Sequence, residues 1–180
     1  KKACRMIITP LSENSLKTWD TGYHPLLQFG FIDGSTKTAI IDLRHTDTDT
    51  LFKGLRRNHR RNIKKCEDIG MTVRFGKTPE DITLYYQLHT DTYHRTGVKP
   101  HPIDYFHAIR HHFIKSKQAF MIMLSYKDEV ISVANFAYFR KKVLYWTAAN
   151  QEKASTYGAQ KYLLWQGIQY AKNTLQADYI

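Results

Sequence analysis

At 180 residues the chain has room for one domain with a sizeable core, and a 42% hydrophobic content with 12 Tyr and 9 Phe excludes global disorder. Lys plus Arg outnumber Asp plus Glu by 27 to 16, a net charge of +11 that favours an anionic partner: nucleic acid, a phosphorylated cofactor or an acidic surface. No apolar run reaches the ~18 residues of a membrane span, nothing at the amino end resembles a signal peptide, and two isolated cysteines, Cys4 and Cys66, suggest a reducing, cytoplasmic setting.

In chain order, residues 1–24 carry little pattern beyond a short strand expected over Arg5–Thr9 and turn chemistry around Pro10–Asn14. One domain is expected over 25–180. It opens with strands over Leu26–Ile32 and Thr38–Leu43, joined at Asp33-Gly34-Ser35. A helix follows over about Leu51–Cys66, capped by Asp49 or Thr50 and ended by Gly70. Seven cations, Lys53, Arg56, Arg57, Arg60, Arg61, Lys64 and Lys65, recur along it at helical steps, with Leu51, Phe52, Leu55, Ile63 and Cys66 opposite. Like charges so spaced repel by a few tenths of a kcal/mol per pair. The stripe is therefore either a plain solvated face or a seat for an anion.

A strand is expected over Met71–Phe75 and a helix from Pro79 to about Arg95, broken by Gly97, Pro100 and Pro102. A third helix covers about Ile103–Lys115. Three strands, Ala119–Tyr126, Val130–Phe139 and Val143–Ala149, then follow with turns so short that the meander is antiparallel. A polar loop over Asn150–Tyr157 leads to a long helix, Gly158–Leu175, and a last strand begins near Ala177. The order predicts a mixed α/β (α+β) fold around one central sheet flanked by helices. The chain lacks an initial Met and stops on a strand-like Asp178-Tyr179-Ile180, so it is expected to be an excised piece, truncated at its carboxyl end.

Four stretches carry a family likeness: Leu55–Gly70 with Arg60, Ile63, Lys64 and Lys65; Tyr93-His94-Arg95-Thr96-Gly97 with Pro102 and Tyr105-Phe106; Asp128–Ala137 with Tyr145–Ala148; and Leu163-Leu164-Trp165 with Ile168 and Tyr170-Ala171. In this order they resemble the GCN5-related N-acetyltransferase (GNAT) superfamily, in particular its Fem-type aminoacyltransferase and acetyltransferase-like branch. The resemblance spans about residues 38–180. It implies a GNAT-like, mostly antiparallel sheet and an acyl or aminoacyl transfer from acyl-CoA or aminoacyl-tRNA to an amine. It leaves room for a second GNAT-like domain absent from this chain. The superfamily's acetyl-CoA loop has Arg or Gln three residues before its first glycine; here Ser155 precedes Gly158 at that spacing and Ala159 follows. The coenzyme A motif is thus imperfect, as in Fem-type relatives that take aminoacyl-tRNA.

Acyl transfer needs donors for a developing oxyanion and groups that move protons. The candidate acid–base residues are Tyr145, Tyr157, Glu152 and Asp178. Donor contacts are expected from the strand at Trp146, Thr147 and Ala148, and from Lys153, Ser155, Thr156, Gly158 and Ala159, placed where a helix amino terminus attracts phosphate. Arg57, Arg60, Arg61, Lys64 and Arg95 are the candidates for holding an acceptor or another anion. His89 and His94 on the second helix, and His107, His111 and His112 on the third, lack a carboxylate-bearing zinc motif, so no metal is expected. The competing expectation is a catalytically inactive module that binds nucleic acid or another polyanion through the basic helix.

Overall fold

The computed structural model describes residues 39–180. The expected strands at Arg5–Thr9 and Leu26–Ile32, their turns and the domain boundary at residue 24 lie outside the described residues. The elements are α1 (Thr48–Gly54), α2 (Arg57–Asp68), β1 (Thr72–Gly76), α3 (Pro79–Thr96), α4 (Ile103–Ile109, continued by a π turn over Arg110–Ile114), β2 (Ala119–Tyr126), β3 (Glu129–Phe139), β4 (Lys142–Asn150), α5 (Glu152–Tyr157) and α6 (Ala159–Asn173). The strands form one antiparallel sheet in the order β1-β2-β3-β4. Both β2–β3 and β3–β4 turn through two residues at positive φ, Lys127-Asp128 and Arg140-Lys141, whose twist suits a tight hairpin.

Alternation along the strands feeds two cores. Phe120, Ile122, Leu124 and Phe136 face α2 and α6, where they meet Ile63, Cys66, Leu163 and Trp165. Met121, Met123, Val133 and Ala149 face α3 and α4, where they meet Ile82, Tyr85, Leu88 and Phe106. Gly167 of α6 lets the helix lie on the Phe136 ring, since a β-carbon there would stand 2.3 Å from Cζ. The start of α3 is fixed by a capping box: Thr78 Oγ1 accepts from Asp81 N–H, and Asp81 accepts from Thr78 N–H. Burial pushes the Asp81 carboxyl up, but the Thr78 and Lys77 N–H groups and Arg74 outweigh it and hold the group low.

The single basic helix expected over Leu51–Cys66 is two helices. Leu55 and Arg56 take extended ψ angles of 146° and 142°, and the chain turns there. The first helix is capped by Asp47, not Asp49 or Thr50: its carboxylate accepts from Thr50 N–H at 2.6 Å. The guanidinium of Arg60 reaches back to the carbonyls of Lys53, at 2.7 Å, and Leu55, satisfying groups that the end of α1 leaves open. Gly70 ends α2 at φ 75°. The expected loop over Asn150–Tyr157 is largely the helix α5. The strands expected at Thr38–Leu43 and after Ala177 reduce, in the described part, to isolated bridges of Tyr179 with Asp42 and Lys142. No helix among the described residues is long and apolar enough to cross a membrane.

Candidate active site

The sheet is irregular where the sequence analysis places the chemistry. Phe136 pairs with Tyr145 and Asn135 with Thr147, so Trp146 is an extra residue, a bulge in β4. Val143 N–H points away from β3, to Tyr179 O at 2.9 Å, and Asn150 N–H points away to Thr92 Oγ1 at 3.1 Å. Alternation on either side of the bulge turns the main chain of Tyr145 and Ala148 to the same outer edge. Backbone groups aimed off an edge are what an oxyanion or an extended donor arm can use.

Tyr145 sits half-buried on the α6 side, its Oη accepting from Gln160 Nε2 at 3.1 Å. Burial pushes this phenol above the usual tyrosine range, with Gln160 opposing. It therefore stays protonated at neutral pH. Because Gln160 donates to the oxygen, the phenolic proton is available to a third group. On the opposite face Trp146 meets Phe113 edge-on at 5.6 Å, and Thr147 Oγ1 accepts from the buried Tyr85 at 3.0 Å. Asn135, buried across from Thr147, has an Oδ1 with no hydrogen-bond partner among the described residues.

A cationic groove runs along α2 and reaches α6 where its Phe52 ring meets Trp165 at 5.4 Å. It is an open depression of about 1130 Å³ lined by Phe52, Ile69 and Asp68 and by Lys53, Arg57, Arg60, Arg61, Lys64 and Lys65. The ion pairs of the described residues involve Asp42, Asp81 and Glu129, and none includes a groove cation. Lys65 Nζ donates to Thr156 O at 3.3 Å and lies 5.5 Å from the Tyr157 ring, so the groove meets α5 directly. Cys66 is buried against Tyr157 O, and burial pushes its thiol up to about 11, leaving it unreactive.

Several expected site residues lie elsewhere than the sequence reading placed them. Lys153, Ser155 and Thr156 stand on α5, around a shallow basin of about 560 Å³ that Gln151 and Glu152 also line, and not at the amino terminus of α6. Lys153 is paired with Glu129. Gly158 ends α5 in the left-handed region at φ 70° and donates its N–H to Ser155 O at 3.0 Å. Asn62 fills the space a Gly158 side chain would take, and Ala159 is fully buried. Gly158 is also the residue that precedes the first turn of α6. The glycine serves the packing of α2 on α6.

Arg95 donates to Asn150 O at 2.6 Å and so fastens the end of α3 to the end of β4. Glu152 and Asp178 lie at opposite ends of β4, with about 30 Å of strand between them. Glu152 shares α5 with Tyr157 and lines the basin beside Lys153. Sequence reasoning missed Gln160, Asn135, Tyr85 and Asn62, whose roles come from partners distant in the chain. No group of three or more His, Cys, Asp or Glu side chains among the described residues is placed to hold a metal.

Comparison with known proteins bears on the family and the fold. The family model described as "Acetyltransferase (GNAT) domain" matches residues 53–177. No curated protein matches the sequence. Among solved structures, FemX superposes with a TM-score of 0.70 at 13% identity, over 78% of this chain and 50% of that one. L-PGS from Bacillus licheniformis superposes with a TM-score of 0.58 at 18% identity, over 78% of this chain and 44% of its own. The putative lysylphosphatidylglycerol synthetase carboxyl-terminal domain from Agrobacterium fabrum gives 0.58 at 15%, over 78% and 44%. The chain spans half the length of these structures or less, and identities this low speak for the fold alone. The family match covers most of the chain, and with the bulged meander and the helix that follows it, the chain belongs to the GNAT acetyltransferase domain family, in an α/β fold shared with the Fem-type branch.

Proposed function

We propose that the chain transfers an acyl or aminoacyl group from an activated donor to an amine by direct attack. The observation that carries this reading is the Trp146 bulge, which aims the main chain of Tyr145 and Ala148 outward beside a protonated phenol. The amine nitrogen attacks the donor carbonyl, and N–H groups of the β4 edge stabilise the oxyanion. The carbon–sulfur bond of a thioester, or the carbon–oxygen bond of an ester, then breaks. Tyr145 gives its proton to the leaving sulfur or oxygen, and the acceptor nitrogen loses one to water.

Acyl-CoA and aminoacyl-tRNA are the two donor classes in view. The imperfect coenzyme A motif and the length of the groove favour the larger one: α2 has 12 residues, about 18 Å, enough to follow several phosphates. Arg57, Arg61 and Lys64 serve there as phosphate contacts, while Arg60 shapes the groove. The test incubates the chain with acyl-CoAs or aminoacyl-tRNAs and a panel of amines, following thiol release or transfer of a labelled acyl group. Turnover that falls in Tyr145→Phe supports the reading; absence of turnover with every donor removes it.

The unpaired groove cations also favour a second reading, a polyanion-binding module without catalysis. Saturable stabilisation by one donor supports the enzyme. Stabilisation by any polyanion, abolished by modest salt, supports the module.

A further inference from the structure

The end of the sheet at the β3–β4 turn carries exposed apolar groups and cations together. Phe139 is 55% exposed, Leu144 41% and Phe113 40%, values far from those of a core. Register places them together. Phe139 pairs with Lys142 and Ala137 with Leu144, so Phe139 and Leu144 share the face opposite Tyr138, which packs into the core. Phe113 reaches the same face through its contact with Trp146. The residues after it, Lys115 and Lys117, belong to the turn whose Gln118 O accepts Tyr138 N–H at 2.7 Å, which sets that turn beside the end of β3. Arg140, Lys141 and Lys142 complete the rim. The nearby acids are Asp42, already paired with Arg44, and Asp178, beside Lys141.

We propose that this rim docks on an anionic lipid surface. Exposed aromatic and aliphatic groups ringed by Lys and Arg match a bilayer interface, where the apolar groups leave water and the cations meet acidic headgroups. A nucleic acid fits less well, because base stacking needs open ring faces. The guanidinium of Arg140 lies over Phe139 at 5.2 Å, and Phe113 is engaged with Trp146, whereas the outward apolar bulk, Leu144 included, remains. The inference does not rest on acyl transfer.

Co-sedimentation of the purified chain with phosphatidylcholine vesicles, with and without phosphatidylglycerol, tests it. Binding is expected only with the anionic lipid. It should fall on the order of tenfold in Phe113→Ser/Phe139→Ser and again in Arg140→Glu/Lys141→Glu. Arg57→Glu/Lys64→Glu makes the same change in net charge at the other cationic surface and should bind vesicles several-fold better than Arg140→Glu/Lys141→Glu. Unchanged circular dichroism in all three variants ensures that folding is not what is read. Equal losses from both charge pairs would mean diffuse attraction and overturn the proposal. So would binding indifferent to the two phenylalanines, no binding to anionic vesicles, or a surface that retains single-stranded RNA but not vesicles.

Discussion

A β-carbon added to Gly158 would stand 2.7 Å from the amide carbon of Asn62, so the cationic helix α2 rests directly on the junction of α5 and α6. Gly158 also holds φ at 70°, a conformation that side chains disfavour. Gly158→Ala is expected to lose about 2 kcal/mol in urea unfolding, from backbone strain and overlap together. Asn62→Ala in the same chain should recover only part of the overlap, because the Asn62 β-carbon, 2.8 Å from the new methyl, remains, and it leaves the strain untouched.

Gly167 makes the opposite case to helix propensity. In an exposed helix, Gly→Ala stabilises by about 1 kcal/mol. Here the new methyl would meet the Phe136 ring at 2.3 Å, so Gly167→Ala should destabilise by about 1–3 kcal/mol. Phe136→Leu alongside it should return part of the loss; a thermal melt of the three variants reads both effects.

His89 is fully buried, with its Nε2 accepting from His101 N–H at 3.1 Å and rings of Tyr85, Tyr93 and Phe106 around it. Burial, aided by His101, pulls its pKa down to about 4, against an ordinary value of 6.5. The unfolded chain therefore binds this proton more readily than the folded one. The contribution is fully present above about pH 6.5 and is lost as pH falls towards 4, by on the order of 2–3 kcal/mol. His89→Gln, which keeps an acceptor, should flatten the melting temperature against pH over that window. An unchanged slope would assign the acid loss to other groups.

For catalysis, Tyr145→Phe should lower kcat about 10- to 100-fold with little change in KM, as expected when a proton donor is lost but the site keeps its shape. Since burial raises the Tyr145 pKa, wild-type kcat should persist to pH values above the ordinary tyrosine range before declining. An activity that falls near pH 7 with deprotonation of an acid would point to a different donor.

In the groove, Arg57→Ala and Lys64→Ala should each weaken polyanion binding and reduce the slope of log K against log salt by about 0.7 for a single strand. Arg60→Ala should behave differently. It removes the clasp on Lys53 O and Leu55 O, so the melting temperature should drop along with affinity.

Much of the fold was legible because its signals are local. Apolar runs separated by tight polar turns marked β2, β3 and β4 almost to the residue, and Pro79 with Gly97 bounded α3 at both ends. The break inside the basic stripe was not legible. Helical spacing runs unbroken through Leu55 and Arg56, and the turn there is held by Arg60 reaching back to carbonyls of the previous helix. The role of Arg95 was hidden for a similar reason, since its partner Asn150 lies 55 residues away. The bulge at Trp146 depends on how β4 meets β3, which neither strand encodes alone.

The sequence by itself determined the order of elements, the meander, the cationic stripe and the family likeness, because periodicity, turn residues and charge are properties of neighbours in the chain. The tertiary structure decided which cations stay open to an anion, which become fasteners, and that Asn62 packs against Gly158. Those outcomes depend on which carbonyls and side chains distant segments bring within hydrogen-bond reach, and spacing along one segment carries no record of that.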